Sequence, residues 1–162
     1  MTRPPHPPRP LRGSPAALSL PALRARLTER GIPPTAQRLA VAEVVLATEE
    51  HPSAEAVLAA VRGRVPAISR ATVYATLKLF VARGLLRELV LEEGRVVYDP
   101  KLERHHHFVD EATGAIVDVP WESLLVRGVP ALAGFDVREF QVVMRGALRV
   151  PDRSNPNPTQ GD

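Results

Sequence analysis

The run Ser69–Tyr98, SRATVYATLKLFVARGLLRELVLEEGRVVY, decides the fold. Its first half has helical spacing, with Val73, Leu77, Phe80 and Val81 on one side and Ala71, Tyr74, Ala75 and Lys78 on the other. Ser69 is positioned to cap this helix and Gly84 to end it. The second half is strand-like: Leu85–Leu91 and Arg95–Tyr98 flank a Glu92-Glu93-Gly94 turn. The outward helix face is small apart from Tyr74 and Lys78, which suits close approach to a groove, although a plain amphipathic helix would explain that face alone. The hairpin tips the balance. Helices followed by a two-stranded wing make a winged helix-turn-helix, whose last helix enters the DNA major groove.

Upstream, three more helices are expected. Ser19 caps one through Arg30, carrying Leu20, Leu23 and Leu27; Thr35 caps a second through about Thr48, carrying Leu39, Ala42, Val45 and Leu46, with Arg38 left outside. Ser53 caps a third through about Arg62, after the linker Glu49-Glu50-His51-Pro52. On spacing alone, His51 is a surface loop histidine. Residues 1–17, MTRPPHPPRPLRGSPAA, read as an extended arm.

Downstream lies Tyr98–Val119, YDPKLERHHHFVDEATGAIVDV. If His105–Asp110 is a strand, its period of two puts His105 and His107 on one face and His106 on the other. With Glu111–Gly114 as the turn, Asp110 pairs with Ala115, and His107 then lies opposite Asp118. Asp99 can approach from the incoming chain. Two imidazoles and two carboxylates suit Fe(II), Mn(II) or Zn(II), while a solvated His tract is the plain alternative. Beyond this stretch, a helix from Pro120 to about Leu132 carries Trp121, Leu124 and Leu125, and a strand spans Phe135–Val150. Residues 151–162 read as a disordered tail.

Composition narrows the function. There is no cysteine, so a disulfide framework and a thiolate zinc site are excluded. No segment is long and apolar enough to cross a bilayer, and no signal peptide precedes the first helix, so a soluble, cytoplasmic protein is expected. Residues 1–99 carry 14 Lys+Arg against 9 Asp+Glu, and residues 100–162 carry 7 against 9. The first part is therefore the one suited to a polyanion.

These residues together resemble the ferric uptake regulator family of metal-responsive bacterial repressors, over roughly Leu20 to Gly146. The resemblance is carried by Thr35-Ala36-Gln37-Arg38-Leu39, His51-Pro52-Ser53-Ala54-Glu55, Ser69–Leu77, and His105-His106-His107 with Gly114 and Asp118. It implies an N-terminal winged helix, a C-terminal α/β dimerisation domain and a regulatory metal between them. It also implies the ligand set His51, Asp99, His105, His107 and Asp118, with Glu103 as a rival to Asp99. The departures are specific. Asp110 and Thr113 stand where many members have a first Cys-x-x-Cys pair, and Arg104, His106 and Phe140 stand where some hold a second metal. Ala75 follows Tyr74 where Arg or Asn is common, and a basic residue expected near Pro33 is missing.

The resulting expectation is an α+β protein: arm 1–17, winged-helix domain 18–98, α/β dimerisation and metal-binding domain 99–150, tail 151–162. It is a dimeric regulator, not an enzyme, that binds double-stranded operator DNA when Mn(II) or Fe(II) is bound, with Zn(II) also able to bind in vitro. Tyr74 with Thr72 would contact bases, Arg38, Arg70 and Lys78 phosphates, and Ser69 lies at the same helix start. A winged-helix regulator with a vestigial metal site is the alternative, and a metal-dependent hydrolase the remote one.

Overall fold

The computed structural model describes residues 18–92, 94–129 and 132–148; the expected arm and tail lie outside the described residues. The protein is α+β and divides into two compact units, residues 1–105 and 106–162. Among the described residues no helix is long and apolar enough to cross a membrane.

The first unit holds four helices and a hairpin: α1 Leu20–Glu29, α2 Ala36–Val45, α3 Ala54–Arg62, α4 Arg70–Ala82, β1 Arg87–Glu92 and β2 Arg95–Asp99. Each helix starts where a hydroxyl can accept a free backbone N–H, at Ser19, Thr35, Ser53 and Ser69. The second helix is shorter than its apolar spacing suggested, ending at Val45 rather than near Thr48. Leu23 and Leu27, Leu39 and Val45, Val57 and Val61, and Val73, Leu77 and Phe80 meet in one core. In α4 the buried row includes Thr76, and Val81 is only half-buried. Gly84 follows α4 with φ +64, and a Cβ there would meet Arg30 Nη1 at 3.0 Å. That guanidinium donates to the Gly84 carbonyl at 2.6 Å, fastening the end of α1 to the end of α4.

The wing is antiparallel, with Leu89 facing Val97 and Arg87 facing Asp99, and a register shift between Val90 and Glu92. Leu89, Leu91 and Val97 turn inward while Val90 is 62% exposed. This is the winged helix-turn-helix that Ser69–Tyr98 foretold.

The second unit contains a three-stranded sheet in the order β4-β3-β5, with β3 His105–Asp110, β4 Ile116–Pro120 and β5 Val143–Gly146. The first of these strands begins at the boundary between the units. The turn closes as expected: Asp110 N–H donates to the Ala115 carbonyl at 2.8 Å. The far edge is parallel, pairing His107 with Val143 and Asp110 with Gly146. Two expectations fail here. The helix from Pro120 to Leu132 is only a 3-10 turn, Trp121–Ser123, because the chain turns extended at Leu124 (φ -128, ψ 131) and Gly128 sits at φ +84. The long strand shrinks to Val143–Gly146, and the described residues before it are irregular.

The Asp110 carboxylate fastens this sheet. Oδ2 accepts from the Thr113 hydroxyl and from Thr113 N–H at 3.2 Å, and Oδ1 from Leu148 N–H at 3.4 Å. The Thr113 hydrogen bond, helped by the backbone donors and opposed by desolvation, holds the Asp110 pKa below its ordinary 3.8. A depressed folded value means that the ionised form stabilises the fold above the ordinary pKa, and that this is lost as pH falls through the folded value. Asp110→Ala should therefore lower the thermal midpoint at pH 7, and the gap from wild type should narrow only below about pH 4. Midpoints measured from pH 7 to pH 3 test this; a gap that stays constant to pH 3 would refute it.

Candidate metal centre and nucleic-acid interface

The first unit gathers three metal-ligating side chains that lie far apart in sequence. One ligand atom from each of His51, Asp99 and His105 lies within 4.8 Å of the other two. The loop carrying His51 is held by the wing, since Tyr98 N–H donates to the Pro52 carbonyl at 2.9 Å. Asp99 is the next residue of β2, and its Oδ1 accepts Lys101 N–H at 2.8 Å, an Asx turn over Pro100. His105 opens β3. The three side chains are about 98% removed from solvent.

The His105 ring has a defined polarity. Nδ1 lies 2.8 Å from the Glu103 carbonyl oxygen, which can only accept, so Nδ1 carries the hydrogen. In the neutral ring Nε2 is then the lone-pair atom, and it points at Asp99 Oδ2, 3.0 Å away. Two facing lone pairs at this distance require a positive centre: a proton on Nε2 or a cation beside both. His51 Nε2 stands 3.8 Å from Asp99 Oδ1. A carbonyl that fixes the far nitrogen of a ligating imidazole is the usual outer partner of a metal site.

Glu103 therefore acts through its backbone, while its side chain is exposed. His107 and Asp118 belong to the second unit, His107 buried on β3 and Asp118 half-buried on β4. His106 is fully buried, with Nδ1 accepting Val142 N–H at 3.1 Å. Its ring stacks on Trp121 at 4.5 Å, and Trp121 meets Phe140 at 4.9 Å. His106 and Phe140 thus flank an indole.

The DNA-reading candidates lie on α4 and the start of α2. Tyr74 is 39% exposed, and Ala71, Ala75 and Lys78 are exposed beside it. A cleft of about 570 Å³ runs between the first turn of α2 and α4, lined by Arg38, Thr72, Ala75 and Thr76 among others. Small side chains keep it open. Arg38 is tethered through Nη1 to the Pro33 carbonyl at 3.0 Å, and the Ser69 and Thr72 hydroxyls are joined at 2.8 Å in the α4 cap. Sequence reasoning missed Glu55 as more than a motif residue. It receives both Arg70 and Tyr74, and only its place in the first turn of α3 was readable.

The ferric uptake regulator family pattern matches residues 29–145. A peroxide-responsive repressor of Staphylococcus aureus is 29% identical over 127 residues, covering 77% of this chain and 86% of that protein. Among solved structures, a zinc-bound manganese uptake regulator aligns with TM-score 0.59 at 27% identity, covering 78% of this chain and 98% of its own. A Campylobacter jejuni peroxide stress regulator aligns with TM-score 0.59 at 26% identity, covering 82% and 98%.

Asp99 bears on both histidines of the group. Asp99→Ala should weaken Mn(II) binding at least ~100-fold while the helices and their core stay folded. Titration calorimetry beside a thermal melt checks this, and undiminished Mn(II) affinity would remove Asp99 from the site.

Proposed function

The chain belongs to the ferric uptake regulator family, and from that premise we propose a homodimeric repressor that binds double-stranded operator DNA when it holds Mn(II) or Fe(II). The observation that carries this reading is the His51, Asp99 and His105 group, whose buried ligand atoms lie within 4.8 Å of one another. Nitrogen and carboxylate donors without thiolate suit these ions, and Zn(II) also binds such a set in vitro. His107 and Asp118 complete the proposed set. A divalent ion held by this set would supply one positive centre for imidazole and carboxylate donors.

The DNA side of the proposal uses the winged helix. Tyr74 and Thr72 face bases, Arg38, Arg70 and Lys78 face phosphates, and Ser69 sets the start of the reading helix. DNA half-sites have fixed spacing, so apparent affinity scales with the fraction of dimers whose reading helices match it. A ligand set drawn from both units raises that fraction without any new DNA contact.

His51→Ala and His107→Ala should each abolish metal-stimulated operator binding and leave weak, salt-sensitive binding to any duplex. Metal affinity and operator affinity, measured on the same preparations, test this. Unchanged stimulation in His51→Ala would sink the proposed set, and operator binding insensitive to chelator in wild type would mark the metal site as vestigial.

For the dimer, the support is apolar surface on the second unit: Leu125 is 80% exposed, Phe135 74%, Leu132 50% and Val137 38%. A second copy would bury such side chains, the usual composition of a permanent homodimer interface. Trp121, half-buried against His106 and Phe140, belongs to the same unit. Since the sequence has no cysteine, exhaustive chelation should leave a folded dimer by light scattering and circular dichroism. A monomer or unfolded chain after chelation would contradict this.

A further inference from the structure

Arg70 and Tyr74 stand four residues apart on α4, and so share a face. Both reach one carboxylate, Glu55 in the first turn of α3. Arg70 meets it fork to fork, Nη1 to Oε1 and Nη2 to Oε2, each at 3.1 Å. The Tyr74 hydroxyl lies 2.5 Å from Oε1. A carboxylate paired with a guanidinium is ionised and can only accept, so the phenol is the donor. The Tyr74 pKa is accordingly raised, first by this hydrogen bond and then by burial. A phenol has one proton. With it committed to Glu55, Tyr74 offers an incoming ligand only its ring and its lone pairs.

We propose that Glu55 is a positioning residue that fixes Tyr74 as a hydrogen-bond acceptor at the DNA interface, and so makes it a filter against guanine. The inference rests on the DNA-binding reading above. In the major groove guanine presents two acceptors, N7 and O6, and would meet the phenol oxygen lone pair to lone pair. Adenine and cytosine present an amino donor, and thymine presents a methyl group that packs on a ring. The base opposite Tyr74 is then adenine, cytosine or thymine. Without the carboxylate the hydroxyl rotates and donates to guanine.

The experiment uses the full chain with Mn(II) and a duplex recovered by repeated selection from a randomised pool. Guanine is then substituted at each position in turn. At the positions where Tyr74→Phe alters base preference, Glu55→Ala should shrink the guanine penalty about tenfold, the size of one base-edge contact, and leave other positions as they were. In a Tyr74→Phe background the same Glu55→Ala change should do nothing, since the proton it redirects is gone. Glu55 is half-buried, and a thermal melt checks that the variant folds. Glu55→Gln, neutral and nearly isosteric, should act in the same direction. An unaltered base preference in both Glu55 variants, or an equal effect with and without the Tyr74 hydroxyl, would overturn the role of Glu55 alone. Failure of the wild type to enrich any duplex would overturn the DNA reading, and this inference with it.

Discussion

One backbone hydrogen bond, from Tyr98 N–H to the Pro52 carbonyl, underlies the candidate metal-ligating group of the first unit. It joins the linker between α2 and α3 to the second strand of the wing, which neither element does through its own regular hydrogen bonding. With Tyr98 fixed there, the strand's alternation and the Arg87–Asp99 pairing determine where the Asp99 carboxylate emerges. The Asx turn over Pro100 then redirects the chain and lets His105 arrive beside the same carboxylate. A ligand from a loop, one from a strand end and one from a strand start are thereby held on a scaffold whose core is helical. Loops positioned by a rigid frame are where binding residues concentrate.

The second unit meets a different constraint. Its sheet is short and its surroundings largely irregular, so it needs fastening that a long helix would otherwise supply. Asp110 provides part of it by gathering three donors, two from the turn at Thr113 and one from Leu148 beyond β5. A carboxylate and a hydroxyl thus close this corner. The stack of His106, Trp121 and Phe140 provides another part, filling the sheet face with flat rings. The chemistry of both devices is hydrogen bonding and packing.

Local signals carried the first unit well. Four hydroxyl caps and a strand-turn-strand pattern are short-range features, and all four helix starts fell where the caps stood. The segment after Pro120 was misread because its apolar spacing resembles a helix over two turns. The extended backbone at Leu124 and the left-handed Gly128 outweigh spacing of that kind. His105 and Asp99 were legible as a pair, because a strand and its incoming chain are close in sequence. His51 was not legible from its own surroundings, since the Tyr98–Pro52 contact that brings it in spans more than forty residues. The Glu103 carbonyl was invisible for another reason: a backbone atom carries no sequence signature.

Glu55 shows how far a local reading of a recognition helix can go. The outward face of α4 is legible from its period, and Tyr74 stands out on it as the one aromatic. What Tyr74 can do, however, depends on its proton, and the proton's location is decided by α3. Arg70 alone would orient a carboxylate without consuming a donor, and Tyr74 alone would rotate freely between donating and accepting. Together, on one helix face and against one first-turn glutamate, Arg70 neutralises the carboxylate, Glu55 takes the phenolic proton, and Tyr74 is left as an acceptor. A groove-facing side chain held this way discriminates by what it lacks, because an absent proton excludes bases that present only acceptors.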